Sequence, residues 1–129
     1  MQNLKSMFSG FSVDDIQKAK QFYGETLGLV AEIDPVMGSL QVSSGGLKIF
    51  IYSKPNHAPA TYTVLNFVVS NIDEAVDELI TKGVSFEKYD GFHQDDKGIA
   101  RSDDPSHGPN IAWFKDPAGN ILSIIEDKN

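Results

Sequence analysis

The chain has 129 residues, no cysteine and a formal net charge of −7. That length suits one domain burying roughly two-thirds of its unfolded surface, and the lack of cysteine excludes a disulfide framework and a thiolate zinc site. The acidic balance speaks against nucleic acid as a partner, because phosphate binding needs clustered Lys and Arg. With no early basic-then-apolar leader and no apolar run approaching roughly 18 residues, the expectation is a cytoplasmic protein without a membrane partner.

Residues 7–13 alternate as a strand. Asp14 or Asp15 is placed to cap a helix whose apolar residues Ile16, Ala19, Phe22, Tyr23 and Leu27 fall at helical spacing, with Gly28 to stop it. Residues 29–33 read as a strand ended by Asp34-Pro35. Residues 39–43 and 47–52 read as a hairpin around Ser44-Gly45-Gly46, where positive φ is cheap. The stretch 54–60 reads as a linker. Beyond it, 63–69 is a strand, and Ser70 or Asn71 can cap a helix striped by Ile72, Ala75, Val76, Leu79 and Ile80 and closed by Lys82-Gly83. Residues 84–89 form the next expected strand. A polar loop over 90–109 follows, and then 110–115 and 120–126 make a second hairpin around Asp116-Pro117-Ala118-Gly119.

The two halves share one grammar. Phe11, Val13, Ile16 and Ala19 align with Phe67, Val69, Ile72 and Ala75, each pair 56 positions apart. In both, an alternating apolar run breaks at polar residues and resumes with helical spacing, as expected of a duplicated unit. Each half reads as strand, helix and three strands. The expectation is a single α+β domain over 1–129 with modules at about 7–54 and about 60–127, whose sheets join into one curved, mostly antiparallel eight-stranded surface with a cleft.

Two phrases then carry a resemblance. Phe22-Tyr23-Gly24-Glu25-Thr26-Leu27-Gly28 and Trp113-Phe114-Lys115-Asp116-Pro117-Ala118-Gly119-Asn120, correctly spaced around the repeat, resemble the glyoxalase, bleomycin-resistance and ring-cleaving dioxygenase proteins of the vicinal oxygen chelate superfamily. The resemblance covers nearly the whole chain and implies paired modules of this strand order. It also implies His, Gln or Glu metal ligands on the first and last strands of each module. Those positions align with Phe8, Ile49, Val64 and Ser123, which are unsuited to hold an ion, and a one-residue slip does not rebuild a ligand set. The expectation is therefore no metal and no cofactor. His93 and His107 bracket four aspartates in the 90–109 loop, but without ligand spacing on a rigid element they read as a solvated loop.

What remains for the cleft is apolar and aromatic. Phe8, Ile49, Val64 and Ser123 are expected to point inward, with Gly10, Ile51 and Asn66 two residues along on the same face. Trp113 and Phe92 are expected to add aromatic walls, and Arg101 an anchor for an anionic group, on a loop acting as a lid. The reading is a metal-free small-molecule binding protein that sequesters or senses its ligand, like the bleomycin-resistance branch, which the resemblance implies works as a homodimer. The alternative is a lactoylglutathione-lyase-like isomerase or another lyase, possibly metal-independent.

Overall fold

Strand pairing closes each half of this chain on itself. The computed structural model describes residues 1–129 apart from the side chain of Pro105, and divides them into two compact units, Met1–Pro59 and Ala60–Asn129. The architecture is α+β in both.

The first unit runs β1 (Ser9–Val13), α1 (Ile16–Gln21), β2 (Val30–Ile33), β3 (Leu40–Ser44) and β4 (Leu47–Ser53). Of the two possible caps, Asp15 serves: its carboxylate accepts from the backbone N–H groups of Gln17 and Lys18 at 3.0 and 3.1 Å. After Gln21 the helix widens into a π-helical turn, Phe22–Thr26, in which Leu27 N–H reaches back five residues to the Phe22 carbonyl at 2.9 Å. The wider turn accompanies complete burial of Tyr23, and Gly28, at φ 73°, ends it. The sheet order is β1-β4-β3-β2, with β1 parallel to β4 and the other pairs antiparallel. Alternate residues Val13, Leu40, Val42, Ile49 and Ile51 are buried on the face that α1 covers, together with Ala19 and Tyr23.

The second unit runs β5 (Thr63–Val69), α2 (Ile72–Thr81), β6 (Ile111–Lys115) and β7 (Ile121–Glu126), in the order β5-β7-β6. Asn71 caps α2 through Glu74 N–H at 3.1 Å. Ile72, Val76 and Leu79 form its buried stripe. Phe67, Phe86 and Phe114 cluster on the helix side, with ring centroids 6.4 and 5.5 Å apart around Phe114. Among the described residues no helix is long and apolar enough to cross a membrane.

Two expectations are corrected. One eight-stranded sheet does not form: the ladders stay within each unit, giving separate sheets of four and three strands. Each sheet buries its apolar face against the helix of its own unit, so joining the sheets is not needed to cover it. The strand expected over 84–89 shrinks to a bridge between Phe86 and Phe114. Glu87 N–H still donates to the Trp113 carbonyl at 2.8 Å, but Tyr89 N–H turns to the Gln94 side chain at 2.7 Å, and the backbone leaves the ladder there.

The β6–β7 turn hangs on one carboxylate. Asp116 Oδ1 accepts from Ala118 N–H and Asn120 N–H, and its Oδ2 accepts from the Asn120 amide, each at 2.9 Å, with both residues nearly fully buried. Asp116→Ala leaves these donors without that acceptor in a dry site, and is expected to cost roughly 2–3 kcal/mol. Urea denaturation reads this as a lower midpoint with an unchanged slope.

Candidate functional site

Directly opposed residues in a ladder share a face, so the registers sort the candidate residues. In the first unit Phe11 pairs with Ile51, and the Phe11 ring meets that of Tyr23 beneath the sheet at 6.3 Å, so the Phe11 and Ile51 side is the helix side. The opposite, open side carries Gly10 beside Phe50 and Ser12 beside Tyr52. Phe8, 65 % exposed, stacks on Phe50 with centroids 4.4 Å apart. Gly10 is required there because a Cβ would stand 2.5 Å from the Phe50 carbonyl oxygen. Next along β1, Ser12 Oγ lies 2.7 Å from His57 Nδ1. Ile49 and Ile51 are on the other side: both are buried core under α1 and do not share the face of Phe8 and Gly10.

In the second unit the open side carries Asn66, Trp113 and Ser123, aligned across β5, β7 and β6. Ser123 is fully buried and its hydroxyl donates to Asn66 Oδ1. Val64 sits in the irregularity between Thr63 and Leu65, where the β5–β7 register shifts. Two further rings complete the surface. Tyr89 meets Trp113 edge-on at 5.6 Å, and Phe92 lies against the same indole at 5.1 Å. The structure thus brings Asn66, Phe92, Trp113 and Ser123 to one side of the sheet.

Arg101 is engaged elsewhere. Its guanidinium donates to Asp73 Oδ1 on α2 at 2.6 Å and to Asp95 Oδ2 at 2.9 Å, so it joins the loop to the helix, where a ligand anchor was expected. Much of the 90–109 loop is fastened in the same way. The Gln94 amide donates to the carbonyls of Glu87 and Gly98 at 2.9 and 2.7 Å. Asp95 accepts from the N–H groups of Lys97 and Ile99, and Ile99 is fully buried. Ala100 and Ile111 exchange backbone bonds of 2.8 and 3.1 Å. A lid spanning the whole loop does not fit these fastenings.

The chain was then compared with known proteins. The model of the Glyoxalase/Bleomycin resistance protein/Dioxygenase superfamily matches residues 8–124. The chain belongs to this superfamily. A search of curated proteins found no match. Among solved structures, a glyoxalase family protein from Bacillus anthracis is 24% identical over 99% of this chain and 100% of its own, with a TM-score of 0.68. A superfamily member from Sphaerobacter thermophilus is 24% identical over 95% of this chain and 98% of its own, with a TM-score of 0.67. TnmS3, an antibiotic binding protein from Streptomyces sp. CB03234, is 26% identical over 95% of this chain and 96% of its own, with a TM-score of 0.64.

Membership in the glyoxalase superfamily raises the question of a divalent ion. The open-side positions on the paired first and last strands are Gly10 with Phe50 and Asn66 with Ser123. Phe8 and Phe50 are occupied with each other, and the Ser123 hydroxyl with the Asn66 oxygen. This donor set does not fit a divalent ion. Among the described residues no group of three or more His, Asp or Glu side chains is arranged to hold one. In the polar loop Asp104 Oδ1 accepts from Ser106 N–H at 2.9 Å, and His107 Nδ1 lies 3.3 Å from Asp103.

The sequence reading missed Phe50, the Ser12–His57 pair and Tyr89. The signal for Phe50 was Lys48: its charge favours the open face, and alternation then puts Phe50 beside it and Ile49 and Ile51 in the core.

The pKa of Asp73 is lowered, first by the Arg101 hydrogen bond and against the effect of burial. For Asp95, burial pulls upward but is outweighed by the Ile99 N–H, Arg101 and Lys97 N–H bonds, and the net shift is also downward. Carboxylates depressed on folding add stability that is complete above their ordinary range, about 4, and lost as pH falls through the lowered values. Arg101→Ala is therefore expected to lower the thermal midpoint by a few degrees at neutral pH, a small effect because the groups are partly exposed. In melts across a pH series, the gap between variant and parent narrows below about pH 4.

Proposed function

We propose that this protein binds a small molecule bearing a planar aromatic ring, as a sequestering or sensing protein of the bleomycin-resistance type. The observation that carries the reading is the second unit's open side, where Tyr89 and Phe92 both pack against Trp113, which lies across the ladder from the Asn66–Ser123 pair. A large ring with few, fixed polar groups beside it suits a flat apolar ligand, held by stacking and aligned by hydrogen bonds. The likeness to TnmS3, an antibiotic binding protein, supports a small-molecule ligand. A net charge of −7 favours ligands that are cationic or neutral.

In this reading Trp113, Phe92, Asn66 and Val64 form the binding surface of the second unit, and the buried Ser123 holds the Asn66 side chain. Phe8 and Gly10, joined by Phe50, offer an aromatic surface on the first. Ile49 and Ile51 belong to the core and Arg101 to its ion pairs. No cofactor enters the proposal.

Trp113 is the chain's single tryptophan, so intrinsic fluorescence reports this site alone. Titration with bleomycin and a panel of planar aromatic antibiotics is expected to quench or shift that emission for at least one compound. Phe92→Ala is expected to weaken its binding by roughly tenfold, the scale of one lost ring–ring contact. Unchanged emission across the panel counts against the proposal.

We also propose a homodimer. Phe8 and Val68 are each about two-thirds exposed on or beside strands, apolar surface that a second copy would cover. Sedimentation velocity is expected to give a mass near twice 14.1 kDa, and a single-chain mass at high micromolar concentration overturns it.

A further inference from the structure

One buried polar group in the second unit finds no partner among the protein's own groups. The Tyr89 hydroxyl is enclosed, and it is the buried side-chain polar atom left without a hydrogen-bond partner among the described residues. An enclosed hydroxyl without a partner is destabilising relative to the same ring without it, and phenylalanine would supply that ring. The position of Tyr89 is set from its backbone, whose N–H is held by Gln94 Oε1 at 2.7 Å, so the hydroxyl does not place the residue. Burial, then the neighbouring Glu87 charge, raises the Tyr89 pKa, which keeps the group a neutral O–H donor.

Its surroundings point to a ligand. The Tyr89 ring stands edge-on to Trp113 at 72°, and Phe92, 56 % exposed, leans on the same indole at 53°. Phe92 is carried by a short turn in which Gly91 takes φ 91° and the bond from Phe92 N–H to the Tyr89 carbonyl is a long 3.4 Å. Phe92 is the exposed ring of this aromatic cluster.

We infer that Tyr89 is a specificity-determining residue, whose hydroxyl donates a hydrogen bond to a carbonyl oxygen on the aromatic ligand when Phe92 turns aside and the ligand's ring enters between it and Trp113. The inference rests on the aromatic site proposed above and adds the ligand's chemistry: a flat ring system with an acceptor oxygen on its edge. A site with an enclosed donor also rejects the analogue lacking the acceptor, because that analogue leaves the donor unpaired.

Two flat tricyclic probes of nearly equal shape isolate the effect: 9-fluorenone, which has the carbonyl, and fluorene, which lacks it. Affinities are measured by Trp113 emission and calorimetry on the parent protein and on Tyr89→Phe. The parent is expected to bind fluorenone roughly tenfold more tightly than fluorene. In Tyr89→Phe that preference disappears through weaker fluorenone binding, while fluorene binding and the melting temperature do not fall. Equal affinity of both probes for the parent overturns the role of Tyr89 and leaves the aromatic site standing. A lower melting temperature of Tyr89→Phe with both affinities unchanged assigns the hydroxyl to the fold and also overturns it. Binding of neither probe overturns the aromatic site and this inference together.

Discussion

Parallel pairing of the first strand of each unit with its last is the constraint on which the site depends. These strands are distant in sequence, and their registers decide which side chains stand together on the open side: Gly10 with Phe50, and Asn66 with Ser123. The same registers send the alternate residues Phe11 and Ile51, or Phe67 and Ile124, toward the helix. A slip of one residue would exchange core and surface along an entire strand. The chemistry at the paired positions differs between the units. In the first, a missing side chain lets the Phe50 carbonyl approach and Phe8 stacks on Phe50 nearby. In the second, a serine and an asparagine satisfy each other.

Carboxylates tie the second unit's helix to its sheet and loop. Glu126, at the end of β7, accepts from Ile72 N–H at the start of α2 at 3.0 Å and from the Asn110 amide at 2.9 Å. An anion at a helix N-terminus meets both an unsatisfied donor and the favourable end of the helix dipole. The Glu126 pKa is lowered accordingly, first by the Ile72 bond. Asp73, one residue further into α2, receives Arg101 from the loop. The acidic character of the chain is therefore partly architectural: several of its carboxylates accept backbone or guanidinium hydrogen bonds that position elements.

Most of the fold was legible in the sequence because period and punctuation agreed. The change from alternation to helical spacing at residues 13–16 and 69–72, with Asp and Asn before each helix, located both helices and their caps. The π-helical turn left no such trace, because its apolar spacing reads equally well as a continued α-helix. Residues 84–89 alternate like a strand, yet Gln94, five residues beyond Tyr89, takes the backbone N–H that a strand would have used. Side-chain capture of this kind has no periodic signature. At the candidate site, Asn66 and Ser123 come to one side of the sheet, and their polarity marks the same phase. Ile49 and Ile51 were placed by hairpin analogy, although Lys48 carried the better information. Arg101 read as an anchor because its partner Asp73 lies 28 residues away, on another element.

The mutual bonds between Ala100 and Ile111 turn the intervening residues into a closed loop whose ends are fixed by the sheet. Lengthening or shortening a loop with fixed ends changes its closure entropy only slowly, and Ile99 and Asp95 hold the near side whatever the tip does. Between Arg101 and Asn110, whose own side chains bond to α2 and β7, the tip is bonded within itself. Insertions and deletions can accumulate there as raw material for evolutionary change, while the strands that carry Trp113 keep their register.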